Sequence, residues 1–475
     1  MWLCIDQGGH STRVAAFAEG GRVLAHETAA LGVSRRDRIH VEHDPRRLLE
    51  SVDHCVRAVG RQLGHDCKRL KAAGLATQRS TLLCASKASG AALSPIISWQ
   101  DRRGHEDIAR FGEHAARIKE LTGLRLSPHY GVGKLRWCIR NLDAVSRHLT
   151  EGDLIGAPLA SYLLWHLTAG GGWRVDPVNA SRTLLMEEGG LRWSDELLDL
   201  FGIPGSILPV IRPCRSNFGS LEIEGQGVPI EVATGDQAAA VFCSGTPEPG
   251  AAFINIGTGA FIQAVTGSTL IRDDALLSSI VWHDASSRIY VLEGTVNGAA
   301  SAVDAVSAEL DLTPVPDGPQ LDALLEDMMD APLFLNGVSG LGSPDWVADF
   351  ETRFEGGDAR QQLAAVYESI AFLIMRNLER MRQRLDLKRL VVTGGLGRVD
   401  WLAQCLADLS ELQVSRPAEA EATTSGLAFL LSRGQTGAAR PDEDASTFEP
   451  RKNERCKRRY RRWTEAMEAQ LEARR

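Results

Sequence analysis

The sequence predicts an α/β protein built from two similar domains. The first half opens at Trp2–Val14 with an apolar strand, a glycine-rich turn that carries hydroxyl groups, and a second apolar strand. The same pattern returns at Phe253–Phe261. In both halves strands alternate with helical patterns, and 475 residues are too many for a single hydrophobic core. Because such turns offer backbone N–H groups to an anion, the repeat suggests one polyphosphate held by both halves.

After the first hairpin, Asp44-Pro45 is typical of a helix start, with an N-cap followed by proline at the first helical position. Apolar residues from Leu48 to Leu63 then recur at helical spacing. An apolar strand follows over 72–77 and ends at the polar cluster Gln78-Arg79-Ser80-Thr81. The stretch from 106 to about 167 is mostly helical in pattern.

The middle of the chain predicts a strand, a helix and a junction. Val228–Thr234 is an apolar strand that stops at Gly235-Asp236-Gln237, where a helix of small residues begins. The turn-rich segment Gly245–Gly250 follows and is the best candidate for a boundary between domains.

In the second half, the hairpin at Phe253–Phe261 is followed by a long amphipathic helix with apolar positions from Leu363 to Leu385. A strand over 390–393 ends in Gly394-Gly395, and a helix over about 402–409 follows. Beyond Gly434 the chain becomes charged.

These elements predict three parts. The first domain covers residues 1–245, the second covers 246–435, and residues 436–475 form a linker, near Pro441–Asp444, with a C-terminal helix. We interpret the basic stretch Arg451–Arg462 as a solvated helix face.

Composition excludes several classes of protein. Apolar and charged contents of 44% and 24% are those of a globular protein, and the net charge of −8 gives no reason to expect nucleic acid as a partner. The nine cysteines form no Cys-x-x-Cys pair, which favours free thiols in a reducing cytoplasm over disulfides or a zinc site. No signal peptide and no membrane-spanning run are expected, so we predict a cytoplasmic protein without a membrane partner.

Three strand ends carry candidate functional groups, because ligands of open α/β sheets gather beyond the carboxyl ends of strands. Asp6 can hold Mg²⁺ directly or through water, or it is a surface turn residue. Asp236, at a helix start, is a candidate general base or an ordinary N-cap. Gly394-Gly395 can let an adenosine lie against the backbone, or it is a tight turn.

Two well-known nucleotide folds do not fit the chain. A dinucleotide fold needs Gly-x-Gly-x-x-Gly leading into a helix, but Gly257-Thr258-Gly259 continues as a strand and lacks the third glycine. The sequence also contains no Walker motif. The paired hairpins instead indicate two actin-like ATPase (ribonuclease H-like) domains with a cleft between them.

From Ile5 to about Gly434, the chain resembles the FGGY carbohydrate kinases, most closely their glycerol kinase branch. Any one of the shared motifs is weak, whereas their order and spacing together are specific. They are Asp6-Gln7-Gly8 with Arg13, Val41–Pro45, Gln78-Arg79, Trp99–Arg103, Asn179–Thr183, Gly235-Asp236-Gln237, Gly257-Thr258-Gly259, Ser339–Pro344, Gly394-Gly395 and Glu421–Gly426.

The departures from the family pattern lie at the first turn and at the acceptor site. Gly9-His10 stands where the glycerol kinase pattern has two threonines, although Ser11 and Thr12 remain, and His10 either donates to a phosphate or faces solvent. Ser80 replaces a glutamate that binds a substrate hydroxyl in that pattern, and His129, beside Tyr130, replaces a tyrosine. The resemblance therefore implies a polyol or sugar acceptor without implying glycerol itself.

The resemblance implies an ATP-dependent kinase that phosphorylates a hydroxyl, with Asp236 as general base and Asp6 organising Mg²⁺. The implied substrate residues are Arg79, Ser80, Trp99, His129, Tyr130, Asp236 and Gln237. The implied ATP residues are Gly8, Gly9, Ser11, Thr12, Arg13, Gly257, Thr258, Gly259, Gly394 and Gly395.

Three alternatives stay open: a pentitol or pentulose kinase of the same family, a non-catalytic polyol sensor with an altered first turn, and a chaperone-like ATPase of the same architecture. Retention of both Asp6 and Asp236 argues against the sensor. A polyol or sugar is the expected small-molecule partner, and a homodimer is left open.

Overall fold

The first half is built on a six-stranded mixed sheet with the opening hairpin at its centre. This computed structural model describes residues 1–311, 325, 332–354, 356–417, 421–433 and 445–474, so the predicted linker at Pro441–Asp444 lies outside the described residues. Trp2–Gln7 pairs antiparallel with Ser11–Phe17 and parallel with Ala72–Thr77. Across the sheet the order is Ser220–Ile223, Gln226–Gly235, Ala72–Thr77, Trp2–Gln7, Ser11–Phe17 and Val23–Ala30.

The second half repeats this arrangement in a seven-stranded sheet. Ala251–Ile256 pairs antiparallel with Ala260–Gly267 and parallel with Arg389–Thr393. The order is Leu277–His283, Arg288–Val296, Ala260–Gly267, Ala251–Ile256, Arg389–Thr393, Val414–Arg416 and Ser446–Phe448. In each sheet a third antiparallel strand flanks the hairpin on one side, and two parallel strands and an antiparallel strand follow on the other. The predicted pair of related α/β units is confirmed.

Local signals account for the principal helices. Asp44 caps the helix Pro45–Leu63 by accepting from the N–H groups of Arg46 and Arg47, and this helix packs on the first hairpin. The helix Ala359–Arg382 begins with a capping box formed by Asp358 and Gln361. The remaining α-helices are His105–Ala109, Ala115–Thr122, Gly131–Asn141, Asp143–Thr150, Leu159–Leu167, Pro177–Ser181, Asp195–Phe201, Asp236–Ala240, Ala300–Glu309, Asp400–Ser410, Ala422–Leu431 and Glu454–Glu472.

Smaller sheets complete the fold. One has five strands, in the order Ser34–Arg35, Val41–His43, Ile96–Ile97, Leu82–Ser86 and Leu154–Pro158. The two-stranded sheets pair Arg174–Val175 with Val210–Ile211, Met186–Glu187 with Arg192–Trp193, and Phe334–Leu335 with Arg353–Phe354. The stretch 106–167 was predicted to be mostly helical, but it contains the strand Leu154–Pro158. A short buried strand cannot be distinguished from a buried helix by its apolar residues alone.

The last helices of the chain pack in ways that the sequence pattern did not indicate. Helix Ala422–Leu431 lies against the first sheet although it belongs to the second half of the chain: a Cβ on Gly74 would lie 3.2 Å from Leu431 Cδ1. The C-terminal helix buries Trp463 in the core of the second half. Its basic residues are mostly solvated, as predicted, but Arg459 is buried and bonds both carboxylate oxygens of Glu368 at 2.5 and 2.6 Å. Across the described ranges, no helix combines the length and apolarity needed to span a membrane.

Candidate active site

The predicted site residues gather where equivalent edges of the two sheets meet. The register aligns Gln7, Thr77 and Gly235 across three parallel strands, so the residues that follow them leave the first sheet at one edge. In the second sheet, Asn255 and Thr393 are aligned in the same way.

Several side-chain contacts join the two edges. Arg13 pairs with Glu421 at 3.3 Å, Arg79 pairs with Glu293 at 2.9 Å, and the rings of Trp99 and Phe261 meet edge to face with centroids 6.5 Å apart.

In the first turn, the residues around Gly9 are partly exposed, while one predicted hydroxyl is buried. The N–H of Gly8 donates to the Ser11 carbonyl at 3.0 Å, and Gly8, Gly9 and Ser11 are half-buried. His10 is exposed, which matches the solvent-facing alternative. Thr12 is fully buried, and its hydroxyl bonds Gln7 Oε1 at 2.8 Å and Ser51 Oγ at 2.6 Å. The predicted Thr12 hydroxyl is therefore engaged inside the protein and not presented to a phosphate.

The second turn is held on one side by the start of the helix Ala300–Glu309 and is exposed on the other side. Thr258 is exposed, while its carbonyl accepts from the N–H groups of Ala299 and Ser301. Beside this turn, Gly394 has a φ of +90°, and a Cβ there would lie 2.5 Å from the Ile256 carbonyl oxygen. Only glycine tolerates both conditions. Gly395 is exposed, and a Cβ on it would meet no atom within 4 Å, so the backbone here is accessible to a flat group.

Asp6 has the properties of a cation ligand. Its side chain is buried, its Oδ2 lies 3.4 Å from Arg13 Nη1, and its Oδ1 has no hydrogen-bond partner in the described part of the chain. The pKa of this carboxyl is raised to about 7, chiefly by burial, with the nearby charges of Asp236 and Glu421 acting in the same direction and Arg13 opposing them. An unpaired buried carboxylate oxygen in a negative environment fits Mg²⁺.

No group of three or more His, Cys, Asp or Glu residues suited to a metal occurs among the described residues. This agrees with the usual binding of Mg²⁺, which takes one or two carboxylates and completes its shell with waters and substrate phosphates.

Asp236 opens the helix Asp236–Ala240 and is half-buried. Its Oδ1 accepts from the N–H of Gln237 at 2.7 Å, which orients the carboxylate. Burial raises its pKa, and the positive charge of Arg79 opposes that shift. A raised pKa moves a carboxylate towards the range in which a general base works near neutral pH.

Arg79 is held at the site from several directions. It donates to Gln237 Oε1 and to Glu293 Oε1, the latter at 2.9 Å. A Cβ on Gly235 would lie 2.7 Å from Arg79 Cδ, so the arginine stem occupies the space that this glycine leaves free. The predicted residues Arg79, Asp236 and Gln237 are therefore in mutual contact range.

Glu293 is the centre of a buried charge cluster between the halves. Besides Arg79, its carboxylate accepts from Arg182 at 2.5 Å and from Gln263 at 3.0 Å. Burial alone would raise the pKa of Glu293, but the two guanidinium groups outweigh it and hold that pKa well below its ordinary value. Tyr130 is buried beside Arg182 and belongs to this cluster.

Ser80, Trp99 and His129 lie close together beside the first turn. Ser80 has a φ of +61°, an unusual conformation for a residue other than glycine. His129 Nδ1 lies 3.1 Å from the Trp99 carbonyl oxygen. A Cβ on Gly9 would lie 3.6 Å from Trp99 Nε1, so the first turn borders this group of residues directly.

Sequence reasoning did not assign Lys134, Arg182, Glu293 or Glu421 to the site, although Arg182 and Glu421 lie within motifs that it named. Glu293 could have been noticed from the sequence, since it is a charged residue directly after the apolar run Ile289–Leu292 in the strand Arg288–Val296. A buried charge in a strand requires a partner. The partners themselves, Arg79 and Arg182, lie far away in sequence.

Comparison with known proteins places this geometry in a family. The model of the N-terminal domain of the FGGY family of carbohydrate kinases matches residues 1–243, and the model of its C-terminal domain matches residues 252–434. A glycerol kinase of Geobacter sp. (strain M21) is 33% identical, over 91% of this chain and 90% of the relative. A glycerol kinase of Aquifex aeolicus is 30% identical, over 90% and 88%.

Solved structures show the same fold. Plasmodium falciparum glycerol kinase with ADP superposes with a TM-score of 0.88 at 23% identity, covering 99% of this chain and 98% of that one. A xyloylose kinase from Brucella ovis also gives 0.88 at 23% identity, covering 100% and 99%. The chain belongs to the FGGY family of carbohydrate kinases and is an ATP-dependent kinase that acts on a hydroxyl group of a small sugar or polyol.

Proposed function

We propose that Asp236 is the general base that activates the acceptor hydroxyl of a polyol or sugar. Asp236 takes the hydroxyl proton, the alkoxide-like oxygen bonds to the γ-phosphorus of ATP, and the bond to the β,γ-bridging oxygen breaks to release ADP. The observation that carries this proposal is the oriented, half-buried Asp236 carboxylate beside Arg79 and Gln237. Its raised pKa suits proton acceptance near neutral pH.

The phosphates of ATP would lie between the two turns. The N–H groups of Gly8 and Gly257 close the two turns by donating to the carbonyls of Ser11 and Gly259. The backbone around Gly9 and Thr258 and the hydroxyls of Ser11 and Thr258 would therefore bind the phosphates, with Arg13 at one side. The adenosine would lie along Gly394-Gly395. Asp6 would hold Mg²⁺, which neutralises phosphate charge when bound. Preorganised donors of this kind supply most of the stabilisation in phosphoryl transfer.

The acceptor would lie against Arg79, Trp99, His129 and Gln237. Ser80 has a shorter side chain than the glutamate of the glycerol kinase pattern, so this site has more space and lacks one carboxylate. A tetritol, pentitol or ketose is therefore the second candidate beside glycerol.

We also propose the division into domains 1–245 and 246–435 with a C-terminal segment 436–475, and a hinge motion between the domains that excludes water from the phosphoryl group. Such a motion would break contacts between the domains, among them Arg79–Glu293, Arg182–Glu293 and Arg13–Glu421. A cytoplasmic location is supported by nine cysteines that are all free of disulfides.

ADP release across glycerol, tetritols, pentitols and ketoses tests the proposal. At least one member should stimulate release, and Asp236→Ala should lower that rate about 10²–10⁴-fold. Asp195→Ala is the matched control, because Asp195 also opens a helix but is exposed. Equal activity in Asp236→Ala refutes the base assignment. ATP binding without stimulation by any acceptor favours the sensor alternative.

A further inference from the structure

A cavity of about 500 Å³ lies between the two halves of the chain, beside the segment that connects them. The connecting segment contributes Thr246 to its wall. The side chains that define its character come from both halves: Arg215, Phe242, Trp282, Ile289, Phe429 and Arg433. A volume of this size is within the usual range for small-molecule sites, roughly 300–1,000 Å³.

The cavity is separate from the candidate active site but is connected to it by a helix. Thr423, in the first turn of the helix Ala422–Leu431, donates to the carbonyl oxygen of Asp236 at 3.4 Å. Phe429, six residues later in the same helix, lines the cavity. Six helical residues span about 9 Å, so the cavity lies beyond the reach of the side chains around Asp236.

The walls of the cavity are largely aromatic. Phe242 meets Trp282 edge to face, with ring centroids 5.8 Å apart, and it stacks on Phe429 at 6.4 Å. Ile289 adds an aliphatic surface and is half-buried. Because apolar surface is stabilised when it is removed from water, these walls favour a ring or a branched apolar chain.

One side of the cavity is cationic. The Arg215 guanidinium lies 5.8 Å from the centroid of the Trp282 ring, and its Nη2 donates to the Leu430 carbonyl. Its Nη1 is buried and has no hydrogen-bond partner among the residues that the structure describes. Burial lowers the pKa of Arg215, and the nearby like charge of Arg433 acts in the same direction.

Two carboxylates near Arg215 oppose Arg433 but do not satisfy Nη1. Asp284 Oδ1 accepts from the N–H groups of Ser286 and Ser287, both at 2.8 Å, and from their hydroxyls. Its Oδ2 accepts from the Trp282 indole at 3.0 Å, so Asp284 is engaged within its own hairpin. Glu231 is 3.7 Å from Nη1, too far for a hydrogen bond. A buried donor without an acceptor is costly, and an entering anion would remove that cost.

We propose that this cavity binds a small molecule that has one carboxylate or phosphate-ester head and an aromatic or branched apolar body. The head would accept from Arg215 and Arg433, because a guanidinium matches the oxygens of either group with two parallel donors. The body would lie against Trp282, Ile289 and Phe429. The proposal goes beyond the kinase reaction, since none of these residues is among those proposed to bind the acceptor or ATP.

Calorimetric titration of the full chain, saturated with ADP and Mg²⁺ to occupy the nucleotide site, tests the proposal. The probes are benzoate, phenyl phosphate, inorganic phosphate as a head alone, and benzyl alcohol as a body alone. Benzoate or phenyl phosphate should bind once per chain, at least about tenfold more tightly than either fragment, and the tighter of the two identifies the head. Binding of neither, or equal binding of inorganic phosphate, overturns the proposal.

Arg215→Met keeps an apolar stem but removes the donors, so it should weaken binding of the tighter probe about 10- to 150-fold. Arg416→Met is the matched control. Arg416 also lies over an aromatic ring, 5.2 Å from the centroid of Phe448, and donates to a backbone carbonyl, but it does not line the cavity. Wild-type affinity in Arg215→Met that unfolds at the normal temperature overturns the proposal.

A measurement on the wild type does not depend on the folding of any arginine variant. In ¹⁵N-labelled protein the indole signal of Trp282, identified by its loss in Trp282→Phe, should shift on addition of the tighter probe. An unshifted Trp282 signal at saturation places the probe elsewhere and overturns the proposal. Asp236→Ala should bind the probe like the wild type, so failure of the proposed base and failure of this site are separate results.

Discussion

Replacing Asp6 by asparagine should stabilise the nucleotide-free protein above neutral pH. The carboxyl has its pKa raised from 3.8 to about 7 in the folded state, chiefly by burial. The folded state therefore binds a proton that the unfolded state releases, and stability falls as pH rises between those two values. The whole difference corresponds to at most about 4 kcal/mol, at 1.36 kcal/mol for each pH unit. An amide of the same shape has no such penalty.

The assay is urea unfolding of both proteins in chelator, without nucleotide, from pH 5.5 to 8.5. The advantage of Asp6→Asn should grow by about 1.4 kcal/mol per pH unit up to neutrality and stay constant above it. Glu151→Gln, at an exposed carboxylate, should show no such trend. Kinase activity should be lost in Asp6→Asn. A stability difference that is independent of pH would refute the reasoning that Asp6 is a buried, uncompensated carboxyl.

Three further substitutions test other parts of the site. Glu293→Gln leaves the guanidinium groups of Arg79 and Arg182 buried without their counter-charge. The free energy of unfolding, measured by urea titration, should therefore fall by about 3–5 kcal/mol, and a loss below about 1 kcal/mol would contradict this prediction. Gly394→Ala places a Cβ 2.5 Å from a carbonyl oxygen at a φ of +90°, so thermal stability and ATP affinity should both fall, and wild-type values for both would count against a close backbone contact. Gly9→Thr returns a hydroxyl to the first turn and requires a small movement of Gln78, whose Oε1 lies 3.3 Å from the new Cβ. The threonine variant should have a lower KM for ATP, whereas the control Gly9→Ala should not. An unchanged KM in the threonine variant would mean that the backbone of the turn is sufficient to bind ATP.

Much of the fold could be predicted because its signals are local. The strand over 72–77, the capped helix after Asp44 and both glycine-rich hairpins depend on residues close together in sequence. The strand Leu154–Pro158 was missed because a short run of buried apolar residues has no period that distinguishes a strand from a helix.

The candidate site was predictable to a lesser extent. Asp6 lies near the end of a strand, and Arg79 and Asp236 follow strands, each within a recognisable motif, so their placement at one sheet edge was expected. Thr12 shows the limit of motif reasoning: its hydroxyl was assigned to phosphate, yet it bonds Ser51, which belongs to a separate helix.

The sequence by itself determined the repeated α/β architecture, the two turns and the family to which the chain belongs, because each is encoded in short segments with characteristic spacing. Only the tertiary structure decided how the charges are compensated. Glu293 accepts hydrogen bonds from Arg79 and Arg182 and balances their charge, although both lie far from it in the chain. Lys134 joins Ser80 to His129 by donating to both of their carbonyl oxygens. Such contacts have no local pattern, since a buried charge requires a partner but does not specify where in the sequence that partner lies.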